Sequence, residues 1–168
     1  MGISALSAAQ ISALSTSTIQ ALSTTDIQAL SSTQIAAINT SGIGVLDATQ
    51  LGALSSTQVR GLTTTQISYL SDSVSFSSNQ LMVLNGAQLN ALSTTQIAGL
   101  DATEIGVLSS TQLSGLSATH VSDLTATQVG SLSTTQVRGL TSTQLAGLST
   151  TDIGELSSTQ VSAFSTSQ

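Results

Sequence analysis

Few side chains in these 168 residues could carry chemistry. His120, the one histidine, stands in "SATH", where neighbouring segments carry Gln in the same place. An activated nucleophile needs a base held beside it. The chain has no cysteine, and no acid keeps a fixed spacing to His120, so this histidine reads as a substitution within a repeated motif. Asp101 with Glu104, and Asp152 with Glu155, are carboxylate pairs three residues apart. A Ca²⁺ ion asks for about six to eight oxygens, which such a pair does not supply. Asp101, Glu104 and Asp152 fall instead where a helix begins, and acids there complement the exposed amides. "NTS" at 39–41 matches the glycosylation sequon, but Asn39 occupies a capping position. There is no GGxGxD repeat, no GxSxG with triad partners and no Walker loop. The expectation is a chain that is not an enzyme, with no catalytic residue, no cofactor and no metal.

What remains is the repeat that contains these residues. One apolar series steps by eight through Ile11, Ile19, Ile27, Ile35, Ile43, Leu51, Val59 and Ile67, and resumes from Leu81 to Val161. A second runs three residues behind it, through Leu14, Leu22, Leu30, Ile38, Leu46, Leu54, Leu62 and Leu70. A strand would place the two series on opposite faces, whereas a helix brings i and i+3 together. One continuous helix fails, because eight residues at about 100° each overshoot two turns by about 80°. The helix must therefore be interrupted once per octad.

The residue after each Leu marks the restart. It is Ser, Thr, Asn or Asp throughout, as at Ser23, Ser31, Ser55, Ser93, Asp101, Ser109, Ser133 and Ser149. These are the strong helix N-caps. Three residues later comes mostly Gln, with Asp26, Glu104 and Asp152 as acidic variants, which completes a capping box. Of the two residues between Ile and Leu, the first varies freely (Gln20, Arg60, Ser68, Asn90, Arg138) and should be exposed. The second is mostly small (Ala21, Ala29, Gly61, Ala91, Gly99, Gly115, Gly147), as close approach between segments requires. One octad cannot bury its apolar pair alone, so stability must come from stacking. The fold class predicted is an all-α solenoid or superhelix of very short helices, one per octad; a β-solenoid is the alternative.

Residues 1–168 form one repeat array with a short unit at 71–76. There "SDSVSFSS" introduces Val74 and Phe76 beside Tyr69, and the spacing from Ile67 to Leu81 is two short of two octads. A tolerated deletion with Phe76 filling the gap is favoured over a docking feature. The chain opens on "ISAL" (Ile3 to Leu6), the second half of an octad, and closes on "STSQ" (Ser165 to Gln168), the first half of one. Those ends suggest self-assembly head to tail, or continuation of a longer array.

Only 6% of residues are charged, with two Lys+Arg against eight Asp+Glu and a net charge of −6. Two arginines cannot make the basic stripe that phosphate binding needs, so no nucleic acid is expected. No run of about 18 apolar residues exists, so no membrane insertion is expected either. Hydrophobic residues make up 39%, and their strict placement argues against disorder.

Across nearly its full length the chain resembles the octapeptide tracts of very large repetitive proteobacterial exoproteins. These are described as adhesins or as heme-utilisation or adhesion exoproteins. The recurring "LSTTQI" and its close variants carry the likeness, as at residues 92–97 and 132–137. The resemblance implies a secreted or bacterial cell-surface structural role. Heme binding does not come with it, since one His and no Cys or Tyr cluster leave no ligand set. The leading expectation is thus a spacer, stalk or filament-forming subunit. The alternative is a ligand-binding or ice-binding solenoid using its Ser/Thr face. Capping and the first helical turn account for those hydroxyls without a ligand, which weighs against it.

Overall fold

Ser55 shows how each octad begins. Its backbone is extended, at φ −68° and ψ 160°, and its hydroxyl accepts from the Gln58 N–H, so a helix starts at once over Ser56–Gly61. The helix stops at Leu62, whose backbone swings to φ −64° and ψ 133° while its N–H still bonds the Val59 carbonyl at 3.1 Å. Thr63 follows in the same extended region and caps the next helix, Thr64–Ser68. Two extended residues therefore make this corner. No residue, glycine included, takes a positive φ among those described. A chain that turns this way needs neither proline nor the left-handed glycine that commonly closes helices.

The computed structural model describes residues 2–168. It is all-α, with nineteen helices of four to six residues after a 3₁₀ turn at Ile3–Ala5. No strand occurs among the described residues, which removes the β-solenoid alternative: each Ser-Thr-Thr-Gln stretch is the first turn of a helix and not part of an extended ladder.

The chain divides into two compact units, Met1–Leu84 and Asn85–Gln168, each a solenoid of stacked short helices. Within the first, helix Ala8–Ser12 packs on Ser32–Ala37, which packs in turn on Ser56–Gly61. Within the second, Ser110–Ser114 packs on Thr134–Gly139, and Ala118–Ser122 on Ser142–Gly147. Each of these partners is three repeats away. The Ile series forms the inner core, from Ile11 to Val137 at 0–1% exposure, with the Leu series beside it. Ile153 and Val161, of the same series, are 41% and 46% exposed. Gln20, Arg60, Ser68, Asn90 and Arg138 are exposed.

The small positions show where backbones meet. A Cβ on Gly61 would lie 2.9 Å from Ser32 Cβ and 3.0 Å from the Ser32 carbonyl oxygen. On Gly115 it would lie 2.7 Å from Gly86 Cα. The rule is not uniform: Gly147 has ordinary clearance from Ala118, and Gly99 meets only carbonyls of its own turn.

The short unit at 71–76 forms no helix. The Val74 N–H bonds the Ser71 carbonyl at 3.1 Å, and Val74 and Phe76 are both buried. They stand in for the missing Ile and Leu.

Candidate functional site

The most heavily used side chain in most octads is the glutamine three residues into it. In the box opened by Ser55, Gln58 Oε1 accepts from the Ser55 N–H at 2.8 Å. Its Nε2 faces the other way and donates to the carbonyls of Ile27 and Leu30, both at 2.7 Å. Those carbonyls end helix Thr24–Ala29, four repeats earlier, and a helix end leaves its last carbonyls without partners. One neutral amide thus starts its own helix and closes another, at 3% exposure. Gln66 does the same to Ile35 and Ile38, Gln136 to Ile105 and Leu108, and Gln144 to Leu113 and Leu116. Each bond joins residues 31 or 28 apart in sequence. Helices stack three repeats apart while the clamp spans four, so a coil closes between three and four repeats.

Gln80 shows how the short unit is absorbed. Its amide bonds Leu51 and Leu54 at 2.8 and 3.0 Å, across separations of 29 and 26. Both are two less than elsewhere, so the deletion shortens the path but leaves the register intact.

Where the slot holds no glutamine, two asparagines take over part of its work. Gly42 occupies one slot, and there the cap itself reaches down: Asn39 Nδ2 donates to the carbonyls of Ser12 and Leu14 at 2.9 and 3.2 Å. Asn39 Oδ1 meanwhile accepts from the Gly42 N–H at 2.8 Å, so the sequon amide is engaged at both ends. His120 occupies another slot. Its Nε2 lies 3.0 Å from the Leu92 carbonyl, and Asn90 Oδ1 accepts from the Ser117 N–H at 2.7 Å, the role Gln Oε1 plays elsewhere.

Acidic slots keep only half of the function. Asp152 Oδ2 accepts from the Ser149 N–H and hydroxyl at 2.8 and 2.7 Å, but a carboxylate has no hydrogen to donate. Asp26 sits likewise against Ser23, whose hydroxyl and N–H hold its carboxyl below the ordinary range. Asp101 accepts from the Glu104 N–H at 2.8 Å, and Glu104 Oε2 from the Asp101 N–H at 3.0 Å. These carboxylates are spent on helix starts, and no cluster of three or more His, Asp or Glu that could hold a metal occurs among the described residues.

The cap residues stand at the heads of their helices. Ser23, Ser31, Ser55, Ser93, Ser109, Ser133 and Ser149 each accept from the N–H three residues on, as Asp101 does. At one end Ile3 lies in the 3₁₀ turn, half-buried like Leu6, and the Leu6 carbonyl accepts from Gln34 Nε2 at 2.7 Å. At the other, the Ser165 N–H donates to Gln168 Oε1 at 3.0 Å, and Gln168 Nε2 donates to the Val137 and Leu140 carbonyls.

The Ser and Thr hydroxyls fall at the caps and in the first helical turn, and the two places differ in their bonding. Cap hydroxyls are occupied, but the threonines two residues after the cap are not. Thr25, Thr57, Thr95, Thr135 and Thr159 are exposed. Their hydroxyls make no hydrogen bond among the described residues.

The donor half of the clamp goes unpredicted by the capping box alone, although the sequence carries a signal for it. A capping box accepts Glu or Gln equally. This chain places Glu in the slot once, at Glu104, and Gln in most of the others. Only Gln can also give hydrogens.

A family model described as the ALTTAQ repeat matches residues 19–56. That stretch runs from Ile19 through the boxes of Ser23, Ser31, Asn39 and Asp47 to the start of the Ser55 box. No curated protein and no solved structure matches the chain. No helix among the described residues is long and apolar enough to cross a membrane.

Proposed function

We propose that this chain is a non-catalytic structural repeat protein, a secreted or cell-surface spacer, stalk or filament-forming subunit. One observation carries the reading: the repeated glutamines are consumed inside the stacked helices, Gln58, Gln66, Gln136 and Gln144 each bonded through both amide atoms. Where the slot holds a clamping glutamine, it joins its octad to the one four repeats before it. The same bond therefore extends an array within one chain, or joins one copy head to tail with another. Nucleic acid does not fit this surface, whose net charge is −6. Electron microscopy of purified protein over a range of concentrations tests the proposal. Rods or fibres support it; compact particles at every concentration contradict it.

A second reading rests on the exposed threonines whose hydroxyls bond nothing among the described residues, such as Thr57 and Thr135. A periodic hydroxyl surface of that kind suits ice or another hydroxylated ligand. Thermal hysteresis measured on the purified protein is the test, and its absence removes the ice-binding form of this reading.

A further inference from the structure

The clamp at His120 differs from all the others in holding an ionisable ring. His120 is 9% exposed, within helix Ala118–Ser122. Its Nε2 lies 3.0 Å from the Leu92 carbonyl, an oxygen that can only accept, so this nitrogen carries a hydrogen. Its Nδ1 lies 2.9 Å from Asn90 Oδ1 and 3.0 Å from Ser117 Oγ. The Asn90 atom is fixed as the amide oxygen, because it accepts from the Ser117 N–H at 2.7 Å. The two ring nitrogens therefore each face a pure acceptor.

A neutral imidazole has one N–H and cannot serve both. With the hydrogen on Nε2, the Nδ1 lone pair points toward the Asn90 oxygen and is relieved only by the Ser117 hydroxyl. An added proton on Nδ1 turns that contact into a charge-assisted hydrogen bond. The surroundings contain little else that titrates. Helix Ser142–Gly147, which packs on this one, has no charged side chain, nor does the segment from Gly86 to Leu92. Asp123, exposed at the C-terminal cap, is the acid on the same element, and Asp152 lies on Thr150–Glu155, which packs on Ala126–Ser131.

We propose that His120 is a proton-responsive clamp, binding Asn90 and Leu92 across the coil more firmly when the imidazole is protonated. The device goes beyond the spacer reading and does not depend on it. Hydrogen exchange at the Ser117 amide, expressed as a protection factor at pH 5.5 and pH 8, reads it directly, because that amide donates to Asn90. Few groups other than imidazole change charge in this interval.

The intact chain should show protection severalfold higher at pH 5.5, because a charge-assisted bond is stronger than the neutral contact it replaces. His120→Gln restores the ordinary slot residue and should fold, with a ratio close to one. Asn90→Ala removes the acceptor and should also flatten the response. Imidazole ¹⁵N spectra at pH 5.5 should show hydrogens on both ring nitrogens. Equal pH responses in the intact chain and His120→Gln overturn the proposal. A response that survives Asn90→Ala overturns it too, as does an Nδ1 without hydrogen at pH 5.5.

Discussion

Gln58 Nε2 sits 2.7 Å from the carbonyl oxygen of Leu30, a residue 28 positions earlier in the chain. That bond turns a run of separately capped helical turns into stacked coils. Burying Val59 and Leu62 supplies a nonspecific attraction, which would tolerate several registers. The amide has to meet two particular carbonyls, and so selects one.

Gly61 and Gly52 give opposite outcomes for the same substitution. Gly61→Ala places a methyl group against Ser32 and should destabilise the fold by about 1–3 kcal/mol. Nothing lies within 4 Å of a Cβ at Gly52, so Gly52→Ala should be neutral or stabilise by up to about 1 kcal/mol through helix propensity. Urea denaturation of the two variants checks the contrast.

Much of this fold was legible beforehand. Ser, Thr, Asn and Asp at every eighth position mark where helices restart, because capping is local chemistry that survives any tertiary context. Spacings of three and five between Ile97, Leu100 and Ile105 exclude a strand for equally local reasons. The coil was not legible. That Gln58 reaches Ile27 depends on where the chain returns after several corners, and no local preference encodes that distance. His120 and Gly42 look like simple losses in the sequence, since their replacements, Asn90 and Asn39, belong to other positions of the octad.

Asp152 is a clamp with a missing donor. Asp152→Gln should extend an amide toward the end of the helix below, where Gln144 and Gln160 make their bonds on neighbouring repeats. The expected gain is about 1 kcal/mol, the net value of a typical added hydrogen bond. A midpoint unchanged or lowered in thermal unfolding would show that this rung does not use the slot.

Ser133 caps helix Thr134–Gly139 through its hydroxyl, which accepts from the Gln136 N–H at 3.2 Å. Ser133→Ala should cost about 1 kcal/mol, and Ser133→Asp should restore most of it. Chemical denaturation of both variants separates lost capping from lost packing, since the side chain is exposed.

Asp26 sets an acid limit on its own helix. The Ser23 hydroxyl, then the Ser23 N–H, hold its carboxyl below the ordinary value of 3.8. A group lowered on folding contributes stability that is fully present above its unfolded value and is lost as the pH falls through the folded one. Asp26→Asn should remove that part of the acid dependence below about pH 4, which parallel acid titrations followed by circular dichroism will show.

Gln136→Glu tests the donor half of the clamp most directly. The variant keeps an oxygen for the Ser133 N–H but takes away the hydrogens given to Ile105 and Leu108, both at 2.8 Å. Unfolding measured at pH 7 should show a loss of about 2–4 kcal/mol from two buried carbonyls left unpaired beside a carboxylate, shrinking near pH 4 as the new acid regains a hydrogen. Equal stability of Gln136→Glu and the unaltered chain at pH 7 would contradict the claim that this amide holds the coils together.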